Sequence, residues 1–120
     1  MMRLHKVLAG LCVLWCALAV RADDGVTDRD VLVGQFAVLS GPAAQLGLRM
    51  QAGIKAYFTA VNAGGGVNGR SLKLVSRDDG YEPAKAAEAV KALIQDDKVF
   101  ALIGSVGTPT GLAAVPILTE

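Results

Sequence analysis

The chain is poor in the side chains that carry most enzyme chemistry. It has 120 residues, with two cysteines, one histidine and one tryptophan, and Cys12, Cys16, His5 and Trp15 all fall within the first 22 positions. From Asp23 onward there is neither a thiol nor an imidazole. For that segment the absence excludes thiol nucleophiles, Ser-His-Asp triads, Cys/His zinc sites and disulfide staples. An excess of basic charge is also missing. Arg3, Lys6 and Arg21 belong to the first 22 residues, so nine of the twelve basic residues face all eleven acidic ones after that point, a formal net charge of −2. The remaining Lys and Arg are scattered. A weakly acidic chain without a basic patch has no electrostatic footprint for nucleic acid.

The first 22 residues differ from the rest. Arg3 and Lys6 give a basic start, Val7 to Val20 is apolar apart from Gly10, and Val20-Arg21-Ala22 precedes Asp23. This is the pattern of a cleaved secretory signal peptide, residues 1–22, and its apolar core is short for a membrane span. An uncleaved N-terminal anchor is the competing reading. A lipoprotein leader fits less well, because bulky Trp15 precedes Cys16 and Cys12 comes too early.

The remaining residues, 23–120, amount to about one small domain. Asp23 to Asp30 reads as a short frayed lead-in. Val31 to Leu39 is a nearly continuous apolar run, the signature of a strand covered on both faces. Leu46, Met50, Ile54 and Phe58, joined by Tyr57 and Val61, form a helical stripe that ends near Asn62. Ser71 to Arg77 alternates, as a half-exposed edge strand does. Pro83 suits the first turn of a second helix, whose stripe is Ala86, Ala87, Val90, Leu93 and Ile94. Val99 to Gly104 reads as a third, continuous apolar strand, and a third helix runs to Leu118 with Pro116 inside it. The order β-α-β-α-β-α predicts an α/β fold, an open parallel sheet with helices on both faces in three layers.

Four segments could carry chemistry. Gly64, Gly66 and Gly69 spell G-x-G-x-x-G, but a dinucleotide fingerprint needs a strand before it and a helix after it. Here a helix leads in and a strand follows, so the run reads as a helix stop and a turn, with Gly64 or Gly65 left-handed and Asn68-Gly69 turning the chain. The loop from Gly104 to Gly111 follows a strand and opens a helix. Its free amides, with Ser105, Thr108 and Thr110 hydroxyls nearby, suit a carboxylate or another small anion. An ordinary N-cap by Thr108, with Pro109 at the first helical position, uses the same groups. Ser40-Gly41-Pro42 through Gly47 lies at a second strand's carboxyl end and reads locally as a plain turn. Asp78, Asp79 and Glu82 lack a further spaced ligand, so they read as a solvated capping loop, and neither metal nor cofactor is expected.

In order, Ser40-Gly41-Pro42, Gly47, Val61 to Arg70, Asp78 to Pro83, Val99 to Gly104 and Gly107-Thr108-Pro109-Thr110 resemble the N-terminal part of the leucine/isoleucine/valine-type periplasmic binding proteins of ABC transporters. The resemblance runs from about Asp30 to Leu118. It implies a type I periplasmic-binding-protein fold, with two lobes closing on an amino acid or similar small polar ligand that is handed to a membrane permease. It implies a periplasmic or extracytoplasmic location and a binding protein, not an enzyme. The ligand contacts it implies are Ser105, Val106, Gly107, Thr108 and Thr110, with Leu46 at a position that is often aromatic in relatives. Some relatives join the positions of Tyr81 and Gly107 by a disulfide, which this chain cannot form. Members are roughly three times longer. The chain then corresponds to an incomplete N-terminal lobe, the opposing lobe and hinge are expected beyond Glu120, and residues 23–120 alone are expected to bind amino acids weakly or not at all. A sensor module on the same fold, or a non-functional truncated product, is the alternative expectation, and an enzyme on a Rossmann-like sheet is the least favoured one.

Overall fold

The computed structural model describes residues 23–119. The signal-peptide reading of residues 1–22 therefore lies outside the described residues. The elements are β1 (Asp30–Ala37), α1 (Ala44–Ala63), β2 (Ser71–Asp78), α2 (Pro83–Gln95), β3 (Ala101–Leu102) and α3 (Thr108–Leu118). The strands form one parallel sheet in the order β2-β1-β3. The register runs from Asp30 opposite Ser71 to Ala37 opposite Asp78, while Val33 and Gly34 face Ala101 and Leu102.

The sheet is covered on both faces, which makes three layers. Val33 packs with Ile54 and Phe58 of α1, against Val31, Leu72 and Leu74. Phe36 lies on the opposite face with Ala86, Ala89, Val90 and Leu93 of α2 and Ala114 of α3. The two-residue period of β1 sends alternate side chains to these two clusters. This is why the central strand reads as a continuous apolar run while edge strand β2 alternates.

The glycine run stops α1. The Gly65 amide donates to the Asn62 carbonyl at 3.1 Å and the Gly66 amide to the Val61 carbonyl at 2.9 Å, with Gly65 at φ +99°. These are the paired bonds of a Schellman C-cap. Asn68 and Gly69 follow at φ +51° and +77°, and Val67 and Arg70 exchange both backbone hydrogen bonds across them. Two successive positive φ values make a type I′ turn, the geometry Asn-Gly favours.

Four expectations are corrected. The lead-in is not frayed: Val26 bridges Val31, the Leu32 amide donates to the Gly25 carbonyl, and Thr27 Oγ1 accepts from the Asp30 amide. The third strand is a two-residue ladder, not a run from Val99 to Gly104. Phe100 donates to Leu32 and Ile103 to Gly34, so three residues of one strand span two of the other, which is a bulge. Phe100 and Ile103 are 54% and 45% exposed. In α1, Ile54 and Phe58 are buried but Leu46, Met50 and Tyr57 are exposed. The helix approaches the exit of β1 closely at Gly47, where a Cβ would lie 2.0 Å from the Val38 carbonyl oxygen. In α2 the stripe holds at Ala86, Val90 and Leu93, whereas Ile94 is exposed.

Candidate functional site

Because the three strands are parallel, their carboxyl ends lie along one rim of the sheet, where ligands bind in open α/β folds. From this rim the chain leaves β1 toward Ser40-Gly41-Pro42, β2 into Asp78-Asp79-Gly80, and β3 into the loop before α3. That last loop turns on two left-handed glycines, Gly104 at φ +67° and Gly107 at φ +123°. Neither position has room for a side chain. A Cβ on Gly104 would lie 2.5 Å from Ile54 Cδ1, and one on Gly107 would lie 2.6 Å from Thr110 Oγ1 and 2.9 Å from Tyr81 Cε2.

The loop is held from both ends. At its start, the Gln35 side-chain amide donates to the Gly104 carbonyl at 3.0 Å, and Ser76 Oγ donates to Gln35 Oε1 at 2.9 Å. At its end, the buried Thr110 hydroxyl is 3.0 Å from the Gly107 carbonyl and 3.3 Å from that of Val106. Between these points the amides of Ser105, Val106 and Gly107 have no acceptor among the described residues. They stand at the start of α3, whose first turn carries no acidic side chain. Unpaired N–H groups at the positive end of a helix are a ready site for a carboxylate.

Of the predicted ligand contacts, Ser105, Val106, Gly107 and Thr108 share this loop, with Ser105 and Thr108 exposed. Thr110 belongs to it, but its hydroxyl is turned inward onto the loop carbonyls. The alternative reading of Thr108 as N-cap is corrected: Gly107 holds that position and no side chain caps the helix, which leaves the Thr108 hydroxyl without a capping bond. Leu46 is exposed and lines a cleft of about 620 Å³ with Met50, Ile54, Tyr57, Phe58 and Ile103, the last of these two residues before Ser105.

The acidic pair also differs from its expected role. Asp78 accepts from the Leu39 amide at 2.7 Å and the Gly80 amide at 3.0 Å, tying the end of β2 to the exit of β1. The neighbouring Ser40 hydroxyl and these amides hold its carboxyl below the ordinary 3.8. Asp79 is fully buried, accepts from the Tyr81 amide at 2.8 Å, and keeps Oδ2 without a partner among the described residues. Burial pushes its carboxyl up, and the nearby Asp78 charge adds to that. Neither carboxylate caps α2. The turn that Asp79 makes sets Tyr81 at φ +68°, and the Tyr81 ring lies against Gly107. Gln35 and Tyr81 thus support the loop without having been legible as site residues. The available signal for Gln35 was a single polar residue in an otherwise apolar strand.

A family description for periplasmic binding proteins matches residues 30–120, most of the chain. The chain belongs to the periplasmic binding protein family. The Leu/Ile/Val-binding protein homolog 2 of Brucella abortus is 31% identical over 115 residues, covering 96% of this chain and 30% of the relative. A possible leucine/isoleucine/valine-binding protein from Rhodopirellula baltica superposes with a TM-score of 0.73 at 39% identity, covering 83% of this chain and 26% of that one. The branched-chain amino acid transporter substrate-binding protein LivJ from Streptococcus pneumoniae, in complex with isoleucine, has a TM-score of 0.72 at 30% identity, covering 76% of this chain and 26% of its own. The chain therefore spans less than a third of these relatives, and what it shares with them is the α/β fold built on a parallel sheet. By their names these relatives are binding proteins, for leucine, isoleucine and valine or for branched-chain amino acids.

Proposed function

We propose that this chain supplies the carboxylate-binding wall of an extracytoplasmic solute-binding protein that delivers an amino acid or a similar small carboxylate to an ABC permease. The observation that carries this reading is the row of unpaired amides at Ser105, Val106 and Gly107, at the start of α3 and on the sheet's carboxyl rim. Thr108 and Ser105 hydroxyls stand ready to add bonds to the same anion. The role is one of capture and release, with no bond made or broken. The LivJ relative holds isoleucine, which has the carboxylate this loop would accept. Export through a cleaved leader fits the pattern of residues 1–22, and a mature protein whose sequence begins at Asp23 is the expected result of N-terminal sequencing.

The test is a nuclear magnetic resonance titration of the ¹⁵N-labelled chain with isoleucine, benzoate and isoleucinol. Isoleucine and benzoate share only a carboxylate, and isoleucinol lacks it. Amide shifts at Ser105, Val106, Gly107 and Thr108 are expected with the first two and not with the third. Equal shifts with isoleucinol, or shifts confined to other segments, would overturn the reading. One wall without its opposite is expected to bind weakly, so a micromolar isotherm by calorimetry would contradict a requirement for lobe closure.

A further inference from the structure

The fully buried polar side chain of the central strand does more than satisfy itself. Gln35 is 0% exposed and sits on the face of β1 that packs against α1. Its two amide ends reach both neighbouring strands: Nε2 to the Gly104 carbonyl beyond β3, and Oε1 to Ser76 of β2. The orientation of the amide is forced, because a carbonyl can only accept and so must face the nitrogen. The Gly104 carbonyl has no other partner among the described residues.

This grip has a directional consequence. Every described peptide bond is trans. In a planar trans peptide the C=O and the following N–H point in opposite directions. With the Gly104 carbonyl drawn onto Gln35 in the interior, the Ser105 N–H is directed away from Gln35, and it has no protein acceptor among the described residues. Ile54 and Met50 of α1 fill the space a side chain at Gly104 would need, at 2.5 Å and 3.2 Å from where a Cβ would stand, so only glycine fits at this exit.

We propose that Gln35 is a positioning residue for the anion loop, fixing the Gly104–Ser105 peptide so that the Ser105 amide is presented to a ligand carboxylate. The inference rests on the function proposed above for the loop. The role of Gln35 in ordering the peptide can nevertheless be measured without any ligand.

Methionine nearly matches glutamine in volume but cannot bond the Gly104 carbonyl. In Q35M the backbone order parameter of Ser105 is expected to fall from about 0.85 to below about 0.6, with Thr110 and α2 unchanged. The isoleucine-induced shift of the Ser105 amide should fall several-fold more than that of Thr108. A purely structural role would lower stability and leave the Ser105 order and its shift ratio as in the original chain, which overturns the proposal. Q35E keeps the matter decidable if Q35M does not fold. Its carboxyl repels the Gly104 carbonyl when ionised and donates to it when protonated, so Ser105 order should return as the pH is lowered from neutral to mildly acidic. Order independent of pH in Q35E counts against the proposal. Loss of Ser105 order in Q35M, in a chain that never responds to isoleucine or benzoate, supports the positioning role while removing the ligand reading.

Discussion

Asn62 brackets Leu72. Its side-chain amide donates to the Leu72 carbonyl at 2.9 Å, and the Leu72 amide donates back to Asn62 Oδ1 at 2.7 Å. The last turn of α1 thereby occupies the outer edge of β2 at one point, much as a neighbouring strand would. An uncovered edge is a template for unwanted pairing, so this contact also limits association. Asn62→Ala removes both partners from half-buried backbone groups and should cost about 1–3 kcal/mol. Urea denaturation of the two proteins measures it, and a change within error would show that water replaces the amide there.

Two glycines of the same helix should respond in opposite directions to the same substitution. At Gly47 a Cβ would sit 2.0 Å from the Val38 carbonyl oxygen, a backbone atom that cannot swing aside. Gly47→Ala should push α1 off the sheet and destabilise by about 1–3 kcal/mol. Gly53 has open space around it, so Gly53→Ala should stabilise by about 0.5–1 kcal/mol through helix propensity. Thermal melts of both variants check the pair, and equal effects of the same sign would contradict the docking geometry.

Asp78 and Asp79 should tilt the pH dependence of stability in opposite directions. The carboxyl of Asp78 lies below its ordinary value in the folded chain, so its contribution is present above the unfolded value and is lost as pH falls through the folded one. Asp79 is raised, so its protonated form favours folding, and that contribution is lost as pH rises through the folded value. Asp79→Asn should gain on the original chain as pH climbs from below 3.8 into the mildly acidic range, while Asp78→Asn should lose ground over that climb. Urea midpoints across a pH series decide it, and parallel curves for all three proteins would refute the assignment.

Adjacent apolar residues of α2 should differ sharply in cost. Leu93 is fully buried between α2 and the sheet, whereas Ile94 is 39% exposed. Leu93→Ala should lose about 2–5 kcal/mol through transfer and cavity effects. Ile94→Ala should stay closer to surface substitutions, which lie within about 0.5 kcal/mol. Comparable losses at the two positions, read from equilibrium unfolding, would mean that Ile94 is covered in solution.

The amino-acid sequence by itself determined what depends on neighbouring residues. The glycines after Asn62 stop a helix because they alone adopt left-handed φ without a Cβ penalty, and Asn68-Gly69 turns the chain for the same local reason. The order and kind of the six elements follow from side-chain periodicity, and with them the parallel sheet and the rim that carries the loop from Ser105 to Thr110. Contacts made across long stretches of chain were not legible. The bulge that shortens β3, the close approach of Gly47 to the Val38 carbonyl, and the inward turn of the Thr110 hydroxyl all depend on which atoms meet after packing. So does the bond from Gln35 to Gly104, which joins residues 69 positions apart. Periodicity reports which face of an element is apolar. Only the tertiary structure decides which neighbour that face meets, and which amides are left unpaired.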